Sequence, residues 1–237
     1  MTQPKKQTLS IQFEQVSLIR NHTNVLNNLT FELDQQRIGI IGHNGSGKSS
    51  LVRLINGLLQ PDSGKISVHG NSPSVGPQKM SAEVGFIFQN PDHQIIFPTV
   101  EEELSFGLIN QGHSKQLAKE KALAILAEHQ RSDWAPKAIH SLSDGQKQLV
   151  CILAVLVMEP KVLILDEPFS ALDLITRYQL LNLLDSLPQQ LVMISHELET
   201  LESFDRILWL ESGRIFQDGT PAEVLPEYYA SARKFRS

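Results

Sequence analysis

Residues 38–55 read Ile38-Gly39-Ile40-Ile41-Gly42-His43-Asn44-Gly45-Ser46-Gly47-Lys48-Ser49-Ser50-Leu51-Val52-Arg53-Leu54-Ile55. The middle of this stretch, Gly42 to Ser49, fits the pattern G-x-x-x-x-G-K-[ST], a glycine-rich loop that wraps phosphate. The pattern has physical meaning only between a strand and a helix, and both flanks are present. Ile38 to Ile41 is an apolar strand candidate, and Ser50 to Ile55 has helical apolar spacing. A strand, a tight turn and a helix start gather backbone N–H groups and a helix N-terminus around one point, which attracts an anion. Lys48 is expected to reach the β- and γ-phosphates of a nucleoside triphosphate, and the Ser49 hydroxyl to take a place on Mg²⁺.

Composition sets limits around this loop. The 237 residues suit one large domain or one domain with an embedded subdomain, and 41% hydrophobic content is enough to bury a core. A net charge of −5 argues against a nucleic-acid partner, whose binders carry a basic face. The single cysteine, Cys151, cannot form an internal disulfide, which fits a reducing compartment. It lies in the apolar run Leu149 to Met158 and reads as a buried, inert thiol. That run is the longest unbroken apolar stretch and falls well short of the roughly 20 residues that span a bilayer. Met1 to Ser10 is polar and lacks the apolar core of a signal peptide.

Outward from the loop, the pattern is α/β. Ile11 to Val16, Leu26 to Leu33 and Lys65 to His69 alternate apolar and polar residues, and read as an antiparallel layer, with Asn27-Asn28 marking a bend. Val84 to Phe88 is a compact strand stopped at Gln89-Asn90-Pro91. From Val100 to about Gln130 the composition is helical, opened by Glu101-Glu102-Glu103. Val162 to Leu165 and Leu191 to Ile194 are continuous apolar runs, as parallel strands buried on both faces require, with a helical pattern between them.

Further motifs accompany these elements. The run Val162-Leu163-Ile164-Leu165 ends in Asp166 and Glu167, at the strand edge where α/β sheets hold ligands. Asp166 is placed to hold Mg²⁺ and Glu167 to polarise an attacking water. Leu142-Ser143-Asp144-Gly145-Gln146 precedes a helical stretch expected to begin near Lys147, with Ser143 and Asp144 as cap residues.

With these residues in view, the chain resembles the ATP-binding cassette family over nearly its whole length. Gly42 to Ser50 looks like its Walker A motif, Gln89 like its Q-loop glutamine, and Leu142-Ser143-Asp144-Gly145-Gln146 like its signature. Val162 to Glu167 resembles Walker B, Ser170-Ala171-Leu172-Asp173 the D-loop, and His196 the switch histidine. The resemblance implies a RecA-like P-loop nucleotide-binding domain with an antiparallel β layer and a helical signature subdomain. The domain would span 9–237, with 9–89 and 159–237 as the core and 90–158 as the helical part. It implies ATP and Mg²⁺ as cofactors, with Ser49, Gln89 and Asp166 as metal ligands. Glu167 and His196 would be the catalytic residues. Two cassettes would sandwich ATP head to tail, Ser143 of one reaching the γ-phosphate held by the other.

Two positions depart from the family. Where an aromatic residue usually stacks on adenine, this chain has Arg20, either a guanidinium stacked on the base or a solvated loop arginine. Asp144 stands where the signature usually has glycine, and its charge opposes triphosphate unless it points away or meets a base.

Residues 89–104, from Gln89 to Leu104, resemble the Q-loop region of energy-coupling-factor transporter ATPases. There, Ile95, Ile96 and Phe97 are either an apolar contact for a transmembrane coupling protein or ordinary core. Little chain follows Phe216 to Pro221, and this compactness is similar to the biotin-type ATPase of that group. A cobalt or nickel uptake ATPase and an ordinary importer ATPase are the alternatives. The expected partners are a second ATPase subunit, a transmembrane coupling protein and a substrate-binding membrane subunit, with the chain peripheral at the cytoplasmic face. A soluble, non-transport cassette ATPase would carry a long coiled-coil insertion or a tandem cassette, and neither is seen.

Overall fold

Ile11, Phe13, Val16 and Leu18 are buried while the residues between them are half-buried or exposed, so the alternation in the sequence becomes a strand with one covered face. The computed structural model describes residues 10–170 and 172–234. In chain order the elements are β1 (Ile11–Arg20), β2 (Thr23–Leu33), β3 (Arg37–Ile41), α1 (Lys48–Ile55), β4 (Ser63–Val68), a short α2 (Pro77–Met80) and β5 (Val84–Ile87). Then follow α3 (Val100–Asn110), α4 (Lys115–Glu128), α5 (Asp144–Leu156), β6 (Val162–Asp166), α6 (Leu174–Ser186), β7 (Gln190–Ile194), β8 (Arg206–Glu211), β9 (Arg214–Gly219) and α7 (Pro221–Lys234). The polar stretch before Ser10 and Ala171 of the D-loop pattern lie outside the described residues.

The chain divides into two compact units. One runs to Val84 and resumes at Gln190; the other is Gly85–Gln189. The first contains an antiparallel layer in the order β2-β1-β4, with Ile11 opposite Leu33 on one side and Val68 on the other. The bend expected at Asn27-Asn28 is a register shift between β1 and β2, with Asn28 at φ 47° and the chain otherwise continuous. The same unit holds parallel strands β7, β3 and β8, with β9 antiparallel to β8. Ile38, Ile40 and Val192 are fully buried, as strands covered on both faces require. Buried Gln190 ties the two layers together. Its amide donates to Leu33 O at 3.1 Å and Gln35 O at 2.8 Å, and its Oε1 lies 3.1 Å from His69 Nε2.

In the second unit β5 lies beside β6, whose residues are all buried. Helix α5 packs on β5 so closely that a Cβ on Gly85 would lie 2.2 Å from Val155 Cγ1. Glycine is therefore required there by contact. The helical composition of 100–130 resolves into α3 and α4. Leu108, Ala118 and Val157 form a core that joins them to the end of α5. Thr99 caps α3, its Oγ1 accepting from Glu102 N, with Glu101, Glu102 and Glu103 in the first turn where the helix end favours negative charge.

Candidate nucleotide site

The phosphate-loop pattern sits between β3 and α1, as its flanks require. Gly42 has φ 147° and Gly47 φ 105°, backbone that disfavours any residue with a Cβ. Space forbids it as well. A Cβ on Gly42 would lie 2.1 Å from Leu210 O, and one on Gly47 would lie 2.9 Å from Val25 O. The loop is thus clasped by β2 and by the β8–β9 hairpin, where Gly213 N donates to Ser46 O at 3.1 Å and Asn27 N to Gly213 O at 2.8 Å. Gly47 caps α1 with no side chain to offer its first N–H groups.

Lys48 is buried and turned back on its own loop. Its Nζ donates to Gly42 O at 2.7 Å and His43 O at 3.0 Å. An ammonium that rests on two neutral carbonyls is stabilised further when a charged phosphate replaces them. Ser46 is buried and its Oγ has no partner among the described residues. Asn44 and Gly45 are exposed, and Ser49 and Ser50 are half-buried at the helix start. The loop therefore fits a triphosphate: Ser46 and Lys48 are buried within it, and the helix start behind Gly47 has no side-chain cap competing for its N–H groups.

His196 belongs to this unit too. Strands β3 and β7 run parallel with Ile40 opposite Ile194, so Gly42 and exposed His196 each emerge two residues further on, from the same edge of adjacent strands. Arg20 ends β1 opposite Thr23, on the hairpin whose second strand brings Val25 against Gly47. Its side chain is exposed and donates to Ile19 O at 3.1 Å.

The second unit gathers Gln89, Asp166, Glu167 and Ser170. Asp166 is the last residue of β6 and 9% exposed. Glu167 follows at φ 52°, a left-handed backbone that residues with a Cβ rarely adopt. Gln89 lies two residues past the end of β5 rather than at the strand end. Its Nε2 donates to Glu167 Oε2 and Ser170 Oγ, both at 3.3 Å. With the amide nitrogen so engaged, Oε1 is the atom left for a cation. The Gln89 carbonyl and the Asp166 carboxylate in this unit, and the Ser49 hydroxyl in the first, are each hard oxygen donors of the kind that Mg²⁺ takes.

The signature residues form the start of α5, which begins at Asp144, three residues before the expected Lys147. Ser143 and Gln146 make a reciprocal capping box: Ser143 N donates to Gln146 Oε1 at 3.0 Å, and Gln146 N to Ser143 Oγ at 3.4 Å. Leu142 is buried and anchors the turn. The side chain of Asp144 is 66% exposed and lies 3.9 Å from Lys147 Nζ, so it both points to solvent and meets a base. Asp173 caps α6, its two oxygens accepting from Thr176 N at 3.0 Å and Thr176 Oγ1 at 2.7 Å. Those bonds hold the Asp173 carboxyl below the usual carboxylate range. Leu172 N donates to Phe169 O at 3.0 Å.

Ile95 and Phe97 are half-buried and Ile96 is 69% exposed, with Phe97 tilted on Phe106 at 4.9 Å. Cys151 is buried, and desolvation pushes its thiol up to about 12, so it is an inert packing group. Two contacts escaped sequence reasoning. The His43 ring lies 5.8 Å from that of Tyr228 on α7, and Lys147 Nζ lies 2.8 Å from Asp92 Oδ1. Neither pair has a local spacing signal, because the partners are far apart in sequence.

A phosphate loop between strand and helix, a strand ending in Asp-Glu and a capped Leu-Ser-x-Gly-Gln helix define a P-loop ATPase of the cassette type. A family model described as ABC transporter matches residues 26–170. The chain is 47% identical over 222 residues to the biotin transport ATP-binding protein BioM of Rhodobacter capsulatus, covering 94% of this chain and 95% of the relative. It is 36% identical to the energy-coupling factor transporter ATP-binding protein EcfA1 of Oceanobacillus iheyensis, covering 84% and 74%. The solved structure of cbiO1 from Clostridium perfringens, part of the ABC transporter complex cbiONQ, aligns with TM-score 0.80 at 29% identity, covering 94% and 93%. The chain belongs to the ABC transporter family and is an ATPase of that family.

Proposed function

We propose that this chain is the ATP-hydrolysing subunit of an energy-coupling-factor transporter, and that the solute is biotin. The observation that carries the reading is the near full-length relationship to BioM. The arrangement of the phosphate loop and His196 on adjacent strand ends supports it.

In this reading residues 9–89 and 159–237 form the nucleotide-binding core and 90–158 the helical signature subdomain. Lys48 leaves the carbonyls of Gly42 and His43 for the β- and γ-phosphates, while Ser46, Gly47 and the start of α1 surround them. Ser49, Gln89 and Asp166 hold Mg²⁺, which when bound neutralises the charge that develops on the phosphates. Glu167 orients or deprotonates the attacking water, and His196 contacts the γ-phosphate. Positioning and charge stabilisation supply most of the rate.

A second copy brings Ser143 and its helix start to the same γ-phosphate. Hydrolysis removes the shared contacts and lets the pair open. No helix among the described residues is long and apolar enough to cross a membrane. By its relationship to BioM and EcfA1, we place the chain as a peripheral subunit on the cytoplasmic side whose work passes to a transmembrane coupling protein and a substrate-binding membrane subunit. Ile95, Ile96 and Phe97 are the apolar contacts offered to the coupling protein.

The test is affinity purification of the chain from its own membranes, then biotin uptake into proteoliposomes of the purified complex. ATP-dependent biotin uptake, lost in Lys48→Ala and Glu167→Gln, is the expected result. Uptake of cobalt or nickel in place of biotin overturns the solute. Recovery with a periplasmic binding protein overturns the transporter class.

A further inference from the structure

Residues 88–94 form a small closed ring around Gln89. Phe88 N donates to Gln94 Oε1 at 3.1 Å, and Asp92 N donates to Asn90 Oδ1 at 2.9 Å, capping the turn Pro91–His93. One face of α5 holds this ring in two places. Lys147 Nζ donates to Asp92 Oδ1 at 2.8 Å, and one turn further on Cys151 Sγ approaches Pro91 O at 3.9 Å. Gln89 itself reaches Glu167 and Ser170.

Lys147 is fixed to the signature turn, because its N–H makes the first hydrogen bond of α5, to Ser143 O at 2.8 Å. Its side chain is 15% exposed, and the Asp92 hydrogen bond raises its pKa, so it carries its charge throughout the working range. It faces two carboxylates: Asp92 in contact, and Asp144 at 3.9 Å.

We infer that Lys147 is a positioning residue that couples the start of the signature helix to the Gln89–Glu167 contact through Asp92. A displacement of Ser143 and the first turn of α5 carries Lys147 with it. Lys147 pulls Asp92, and the closed ring passes the movement to Gln89. Asp144 competes for the same ammonium, so it weakens the link to Asp92. The inference rests on the reading of Glu167 and Gln89 as the water-orienting and metal-binding groups.

The test uses the full chain with three kinds of measurement: steady-state ATPase kinetics, amide hydrogen exchange over residues 88–95, and Glu167→Gln as control. Lys147→Met keeps the stem and removes the charge. It is expected to lower kcat about tenfold with KM for ATP unchanged within about twofold, because geometry at the water is lost while phosphate binding is kept. Exchange over 88–95 is expected to quicken. Lys147→Arg is expected to restore both. Asp92→Asn should mimic Lys147→Met, and the double variant should be no worse than either single. Asp144→Gly should slow exchange over 88–95. Wild-type kinetics and exchange in Lys147→Met, with Glu167→Gln inactive, overturn this inference alone. Wild-type turnover in Glu167→Gln overturns the site reading and the inference with it.

Discussion

Gly145 is the signature residue whose replacement has the most closely defined consequence. It is the second residue of α5, and a Cβ there would lie 2.3 Å from Thr176 Cγ2, 3.3 Å from Thr176 Cβ and 3.4 Å from Thr176 Oγ1. Thr176 cannot swing away at no cost, because its Oγ1 donates to Asp173 at 2.7 Å and its N–H to the same side chain at 3.0 Å. In an isolated helix Gly→Ala gains about 1 kcal/mol. Here overpacking against a held side chain costs about 1–3 kcal/mol, so the net change for Gly145→Ala is a loss of about 1 kcal/mol. For a chain of this size that lowers the melting temperature by about 2–4 °C. Thr176→Ser removes Cγ2, the atom in conflict, and keeps the hydroxyl that Asp173 holds. The double variant Gly145→Ala/Thr176→Ser should therefore regain the loss and show a favourable coupling of about 1–2 kcal/mol in a double-mutant cycle. The measurement is urea unfolding of the wild type, both singles and the double. Additive singles would refute the contact argument, and a stabilised Gly145→Ala would show that α5 does not press on α6 as described.

Two further outcomes follow from local physics. Because the buried Cys151 thiol ionises near about 12 against an ordinary 9.0, only the unfolded chain releases this proton between those values. Its contribution is full below pH 9 and is lost as pH rises, by about 2 kcal/mol near about pH 10.5. Cys151→Ala should lose less stability than the wild type across that window, and equal pH slopes would contradict the burial. Ser143→Ala removes half of the capping box and should cost about 1 kcal/mol in urea unfolding.

The core strands were legible because their signal is local. Val162 to Leu165 and Leu191 to Ile194 are apolar without interruption, and both are strands buried along their length. The phosphate loop was legible for a similar reason: Gly42, Gly45 and Gly47 all have positive φ, a local backbone demand that the glycine pattern displays. The contacts of Gly42 with Leu210 O and of Gly47 with Val25 O are distant in sequence and were not readable. Boundaries were less so. Asp144 is a poor helix former in isolation. It nevertheless opens α5, because the Ser143–Gln146 box satisfies the helix start one turn earlier than composition suggests. The helix α7 went unread as a helix: Pro226 interrupts its pattern, and its support comes from Tyr228 packed edge-on to Trp209 at 5.0 Å, a contact made by a residue of β8. The Asp92–Lys147 pair depends on a fold that brings residues 55 positions apart together, which no window of sequence displays.

The two helix starts, α1 and α5, are built in opposite ways, and Asp144 is where the difference matters. α1 begins after a glycine that contributes only backbone, so a phosphate meets no competing side chain from its cap. α5 is satisfied internally by Ser143 and Gln146 and carries a carboxylate in its first turn. In the free chain that carboxylate is favourable, about 0.3–1 kcal/mol for a charge at a helix N-terminus. Opposite a triphosphate it is unfavourable by about 1 kcal/mol at contact range in water, roughly fivefold in apparent affinity. Asp144→Asn keeps the size and a helix-start residue while removing the charge. It should therefore lower stability by a few tenths of a kcal/mol in urea unfolding and lower KM for ATP about threefold to fivefold. The effect on KM should shrink in high salt, because an exposed charge is screened. The opposite signs are what separate this account from a general loosening of the helix. If stability and KM worsen together, or if the KM gain is indifferent to salt, Asp144 does not act through charge.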